Sequence, residues 1–129
     1  MKLVVDTSAY SAFCRGRTDV IDRMESADEL LIPATVIGEL MTGFHQGTRK
    51  DSNLKLFERF LAEPGVSVAV TDRTVAQKYG LLVAGLKAAG TPIPTNDIWI
   101  AATALCANAC LLTGDRHFRV ITGLDVDEF

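Results

Sequence analysis

Four short apolar runs, each the length of one β-strand, punctuate the chain: Leu3–Val5, Leu30–Ile32, Val66–Val70 and Leu111–Leu112. The first and third are rich in β-branched residues, which suit a pleated, buried surface. The stretches between them carry helical spacing. Ile37, Leu40, Met41 and Phe44 recur at i, i+3, i+4 and i+7 after Pro33, and Leu54, Phe57 and Leu61 at i, i+3 and i+7. Val75, Tyr79, Leu82, Val83 and Leu86 form a third stripe, with Asp72 placed to cap its start and Gly90 to stop it. Ile98, Ala101, Ala102 and Leu105 form a fourth after Pro94-Thr95. Strands alternating with helices predict an α/β fold whose parallel sheet is covered on both faces. The intervals after Asp6, Pro33 and Thr71 call for more than one helix per crossover.

The 129 residues suit one domain spanning 1–129, and 48% hydrophobic against 22% charged residues excludes a disordered chain. No apolar run approaches the roughly 20 residues of a membrane helix. Met1-Lys2-Leu3-Val4-Val5-Asp6 sets an acid where the apolar stretch of a signal peptide would continue, so no export signal is expected. Three cysteines are too few, and odd in number, for a disulfide scaffold; a reducing, cytoplasmic compartment is expected. Cys14, Cys106 and Cys110 lack zinc-ligand spacing and read as small buried residues. The net charge of −3 excludes a non-specific, histone-like nucleic-acid binder. It does not exclude an acidic metal site with basic rims. With four acids neutralised by metal, thirteen bases would face twelve acids.

Four acids stand out. In open parallel sheets, ligands bind beyond the carboxyl ends of the strands. Asp6 directly follows Leu3-Val4-Val5, and Asp115 follows Leu111-Leu112-Thr113 with Gly114 between. Either alone is also explained as a loop or helix-capping aspartate. Asp97 sits in the first turn of a helix opening at Pro94-Thr95, where the helix dipole favours acids, yet it borders the buried stripe four residues before Ala101. Glu39 falls about 160° from Ile37 and Met41 on a helical wheel, beside Val36 and Gly43, and by spacing alone reads as solvent-facing. Together, four carboxylates from separate segments suit Mg²⁺ or Mn²⁺, which take oxygen donors and relieve the mutual repulsion of clustered acids. Such ions activate water and stabilise the leaving oxygen of a phosphodiester.

Val4-Val5-Asp6-Thr7-Ser8, the segment from Pro94 to Ala102 (Pro-Thr-Asn-Asp-Ile-Trp-Ile-Ala-Ala) and Leu111-Leu112-Thr113-Gly114-Asp115-Arg116-His117-Phe118 resemble the PIN-domain ribonucleases, and more narrowly the VapC-type toxins of prokaryotic toxin–antitoxin pairs. The likeness runs from Leu3 to about Val126, with the acids in the family's order. It implies a Rossmann-like α/β/α sandwich with a central parallel sheet, and a Mg²⁺- or Mn²⁺-dependent endoribonuclease. The family's four acids match Asp6, Glu39, Asp97 and Asp115, as catalytic residues and metal ligands, with Glu39 bound directly or through water. Ser8 takes a supporting role near the metal, although helix capping reads equally well for Thr7 and Ser8. Some members carry a further acid two residues after the fourth; His117 stands there, either as a surface histidine ahead of a buried Phe118 or as a phosphate hydrogen-bonder. Cleavage of this kind uses water rather than the 2′-hydroxyl and leaves a 5′-phosphate.

Arg15, Arg17, Arg116 and Arg119 are candidate contacts to RNA phosphates near the strand-end face. The resemblance also implies an antitoxin partner and a homodimer. Leu54, Phe57, Phe60 and Leu61 are either part of an antitoxin groove or ordinary core. Direct DNA binding is not expected, since no helix-turn-helix pattern occurs. Three other readings compete with the toxin. A PIN nuclease without an antitoxin would share the chemistry. A non-catalytic, receiver-like interaction module would have no need of four intact acids. An aspartyl-phosphate phosphatase would need an aspartate two residues after Asp6, where Ser8 stands.

Overall fold

The computed structural model describes residues 1–129. Strand β1 (Lys2–Val5) lies at the centre, because Leu3, Val4 and Val5 have no polar side chain to keep at solvent, and all three are fully buried. It pairs in parallel with β2 (Glu29–Pro33) on one side, Leu3 opposite Leu30, and with β4 (Cys110–Thr113) on the other, Val5 opposite Leu112. Strand β3 (Val66–Ala69) extends the sheet beyond β2, and β5 (Val126–Glu128) beyond β4, giving the order β3-β2-β1-β4-β5.

Parallel pairing forces a crossover between successive strands. Helices α1 (Thr7–Cys14) and α2 (Thr18–Ser26) carry the chain from β1 to β2, α3 (Ala34–Gln46) and α4 (Lys50–Leu61) from β2 to β3, and α5 (Arg73–Ala89) and α6 (Thr95–Ala107) from β3 to β4. Each crossover thus contains two helices, as the interval lengths imply. A short 3₁₀ helix, Arg116–Val120, connects β4 towards β5. The chain grows outward through β2 and β3, then returns to lay β4 on the opposite side of β1. That reversal opens a crevice at the carboxyl ends of β1 and β4.

The caps of α5 form as expected: the Asp72 carboxylate accepts from the Val75 amide at 3.0 Å, and Gly90 closes the helix at φ +70°. Helix α6 is buried along most of its length through Ile98, Ile100, Ala101, Ala102 and Ala104. Its alanines allow close approach to its neighbours. No helix is long and apolar enough to cross a membrane.

Two elements carry no strong sequence signal. Helix α2 offers only Val20 and Met24 to the core, and β5, Val126-Asp127-Glu128, is mostly acidic and paired on one side alone. The sheet is flanked by helices as expected, and Val68 of the edge strand β3 is exposed. The cysteines differ from expectation. Cys14 is exposed at the end of α1, and Cys106 and Cys110 are half-buried. Phe57 and Phe60 resolve as core, Leu54 and Leu61 are partly buried, and Leu56 is the exposed leucine of α4.

Candidate metal centre

Asp6 ends β1 and caps α1. Its Oδ1 accepts from the Ala9 amide at 2.8 Å and from the Ser8 hydroxyl at 2.7 Å, and its Oδ2 accepts from the Thr113 hydroxyl at the end of β4. The residue is only 4% exposed. Burial raises its pKa, three hydrogen bonds work against that rise, and the charge of Asp115 adds to it. The capping reading and the crevice reading are therefore both correct. A carboxylate has about four lone-pair positions; the cap and the two hydroxyls occupy three, leaving about one for the crevice.

Ser8 and Thr113 tie the two strand ends together. The Ser8 hydroxyl donates to Asp6 and accepts from the Gly114 amide at 2.9 Å; the Thr113 hydroxyl donates to Asp6 and accepts from the Asp115 amide at 2.9 Å. Each hydroxyl serves as donor and acceptor at once, so the spacing of Asp6 and Asp115 is set from two sides. The supporting role expected of Ser8 is thus structural. Thr113 was not singled out from sequence, although a lone hydroxyl closing an apolar strand, fully buried here, is the signal that marks it.

Asp115 caps the 3₁₀ helix through the His117 amide, 2.9 Å from Oδ1. Asp97, in the first turn of α6, reaches the same place from the other side of the crevice, and its Oδ2 lies 2.9 Å from His117 Nδ1. That nitrogen is also 3.2 Å from Asp115 Oδ1, and donor atoms of Asp97, Asp115 and His117 all lie within 4.8 Å of one another. Burial raises the Asp97 pKa first of all; His117 opposes the rise, and the charges of Asp115 and Glu39 add to it. The Asp97 carboxylate and then the charge of Asp115 raise the His117 pKa. The surface reading of His117 is therefore incomplete: half the ring is exposed, but its Nδ1 faces two acids.

Glu39 lies on the flank of α3 next to the buried Val36 and Leu40, which form the inner face of this helix more fully than Ile37 and Met41 do. The Thr7 hydroxyl donates to its Oε1 at 2.8 Å. The carboxylate is turned towards the start of α1, and its charge reaches Asp97. All four acids thus converge on one end of the sheet. Asp97, Asp115 and His117 form the tight group, and Asp6 and Glu39 border it. An oxygen-rich donor set of this kind fits Mg²⁺ or Mn²⁺.

The arginines divide. Arg17 pairs with Asp19 at 2.8 Å and lies over the Phe129 ring, 4.9 Å from its centroid; Arg119 pairs with Glu128 at 2.8 Å. Arg15 follows the far end of α1, the length of an eight-residue helix, about 12 Å, from Asp6. Arg116 directly follows Asp115 and has no ion pair.

Residues 3–124 match the PIN domain family. The chain is 32% identical to Ribonuclease VapC4 of Mycobacterium tuberculosis, over 97% of this chain and 95% of that protein. It is 29% identical to Ribonuclease VapC1 of Haemophilus influenzae, over 96% and 95%. Among solved structures, it superposes on VapBC-1 of nontypeable Haemophilus influenzae with a TM-score of 0.87 at 27% identity, covering 99% of this chain and 98% of that one. It shares the fold of VapBC2 from Rickettsia felis, solved with a promoter DNA fragment, at a TM-score of 0.90 and 23% identity, covering 100% and 99%. DNA therefore belongs to the assemblies of some structural neighbours, which runs against the expectation of no direct DNA binding. Fold, order of the acids and sequence likeness agree: the chain belongs to the PIN-domain family.

Proposed function

We propose that this chain, acting as one domain over residues 1–129, is a divalent-metal-dependent endoribonuclease and the toxin of a toxin–antitoxin pair. The observation that carries this reading is the convergence of Asp97 and Asp115 on one point at the topological switch, with Asp6 and Glu39 beside them. These acids would hold Mg²⁺ or Mn²⁺, Glu39 directly or through water. When bound, the ion supplies positive charge that makes a coordinated water more acidic and stabilises the oxygen leaving phosphorus.

The chain's own residues do the positioning. Ser8 and Thr113 fix the Asp6 carboxylate, and Thr7 fixes Glu39, so these two acids present defined oxygens to the crevice. Arg116, adjacent to Asp115 and without an ion pair, would be the arginine to meet an RNA phosphate. Arg17 and Arg119, already engaged with acids, are weaker candidates. Water rather than the 2′-hydroxyl attacks, so the products carry a 5′-phosphate.

The named relatives support the ribonuclease reading, and the VapBC complexes support an antitoxin as partner. A groove of about 260 Å³ between α1, α3 and α4, lined by Tyr10, Leu40, Phe44 and Leu56 among others, suits an apolar helix of that partner. DNA contact would run through the antitoxin. Homodimerisation and a cytoplasmic location complete the proposal.

The test is cleavage of RNA by the purified chain. Cleavage with Mg²⁺ or Mn²⁺, its loss in EDTA, and its loss in Asp97→Asn support the reading. Full cleavage in EDTA, or by Asp97→Asn, overturns it. In the Arg116→Ala protein, the log–log salt slope of RNA binding should fall by about one.

A further inference from the structure

His117 raises a question that the four acids do not answer. Its Nδ1 lies 2.9 Å from Asp97 Oδ2 and 3.2 Å from Asp115 Oδ1. Around a cation with ligands at about 2.1 Å, neighbouring donor atoms stand roughly 3.0 Å apart in an octahedron and about 3.4 Å apart in a tetrahedron. At 2.9 Å and 3.2 Å the two separations are those of hydrogen-bonded neighbours and also lie close to the octahedral spacing, so the nitrogen stands where a ligand beside Asp97 and Asp115 would stand. Its position is not an accident of a free side chain. The His117 amide is bonded to Asp115, and the next residue, Phe118, is 1% exposed and anchors the turn.

We propose that His117 is a direct nitrogen ligand which, with Asp97 and Asp115, makes this centre a mixed nitrogen–oxygen site that favours first-row transition cations over Mg²⁺. The inference rests on the metal-centre reading above and adds to it the selectivity of the site. Mg²⁺ is a hard cation that keeps oxygen and water ligands, whereas imidazole suits Fe²⁺, Ni²⁺ and Zn²⁺, and by the same order Co²⁺. Transition ions outrank Mg²⁺ at many sites, so the informative quantity is the change in preference when the imidazole is removed. The exposed half of the ring leaves this residue free to be replaced without opening the core.

The experiment uses Co²⁺, followed by its visible absorption, and Mg²⁺, followed by calorimetry, on the full chain and on His117→Ala, His117→Asp and Asp115→Asn. Loss of the imidazole should weaken Co²⁺ at least about tenfold and leave Mg²⁺ within about twofold. It should also alter the Co²⁺ spectrum, and free imidazole should restore that spectrum in His117→Ala. His117→Asp should shift preference towards Mg²⁺. An equal loss for both ions, or an unchanged Co²⁺ spectrum, overturns the ligand role. If Asp115→Asn loses Co²⁺ while His117→Ala keeps the wild-type ratio, the metal centre stands and this inference fails alone. If the unaltered chain binds neither ion, both fail.

Discussion

Helix α1 joins two regions built on opposite principles. At its start, Asp6, Thr7 and Ser8 are held by directional hydrogen bonds in a crevice of like charges. One turn later, Tyr10 enters a group of aromatic rings, edge-on to Phe57 at 5.3 Å and to Phe60 at 5.2 Å, with Phe44 behind Phe57 at 6.1 Å. The aromatic group needs only volume and shape, and it stabilises the fold by removing apolar surface from water. The crevice does the reverse. Asp6 and Asp97 both have raised pKa values because burial and neighbouring charge disfavour their ionised forms. The comparison separates stability from function: one side of the helix stabilises the fold, and the other spends that stability on preorganised charge.

If the division is real, substitutions in the two regions must fail differently. The largest expected effect is in the crevice. Asp115→Asn should lower RNA cleavage by at least about 10⁴-fold, roughly 5 kcal/mol of transition-state stabilisation, without unfolding the chain. Single-turnover cleavage and a thermal melt, taken together, check this. Phe57→Ala should show the opposite pattern. It should lose about 3–5 kcal/mol of stability in urea melts, while any protein that stays folded keeps its Mg²⁺ affinity. A metal affinity that falls in step with aromatic truncation would erase the distinction.

Thr113→Val lies between these cases. It removes the donor to Asp6 and the acceptor for the Asp115 amide, so it should cost about 1–3 kcal/mol and also weaken metal binding. The smallest effect concerns pH. A carboxyl whose folded pKa is raised contributes stability that is full below its ordinary pKa and is lost as pH rises through the folded value. In EDTA, Asp97→Asn should therefore melt at the same temperature as wild type near pH 3 and above it at pH 7. The gap should widen again as the protonated form of His117, which opposes the Asp97 shift, is lost. Melts across that pH range would show a constant gap if burial and neighbouring charge did not raise the Asp97 pKa.

The parts of this molecule that repeat along the chain could be read from it. Strands β1, β3 and β4, the stripe of α5 with Asp72 and Gly90 at its ends, and Asp6 and Asp115 at strand ends all follow from local pattern. Glu39 did not, because its place depends on which face of α3 turns inward; Val36 and Leu40 decide that only once α1 is packed alongside. The family likeness, not the helical wheel, put Glu39 among the candidates. Thr113, and the contact of His117 with the acids, escaped for a related reason. Their partners, Asp6 and Asp97, lie 107 and 20 residues away, and no spacing rule encodes a hydrogen bond across adjacent strands or across the crevice. Strand β5 is held by a single neighbour and has little apolar content of its own, so it had no signal to give.

The bond between Thr113 and Asp6 spans nearly the whole chain. During synthesis, β1, β2 and β3 emerge first, but Asp97 and Asp115 arrive only with the final third of the polypeptide. A ribosome-borne fragment ending before α6 holds Asp6 and Glu39 and none of the tight group. A cutter of RNA built in this order stays harmless to the ribosome and message that are producing it until its translation is almost finished.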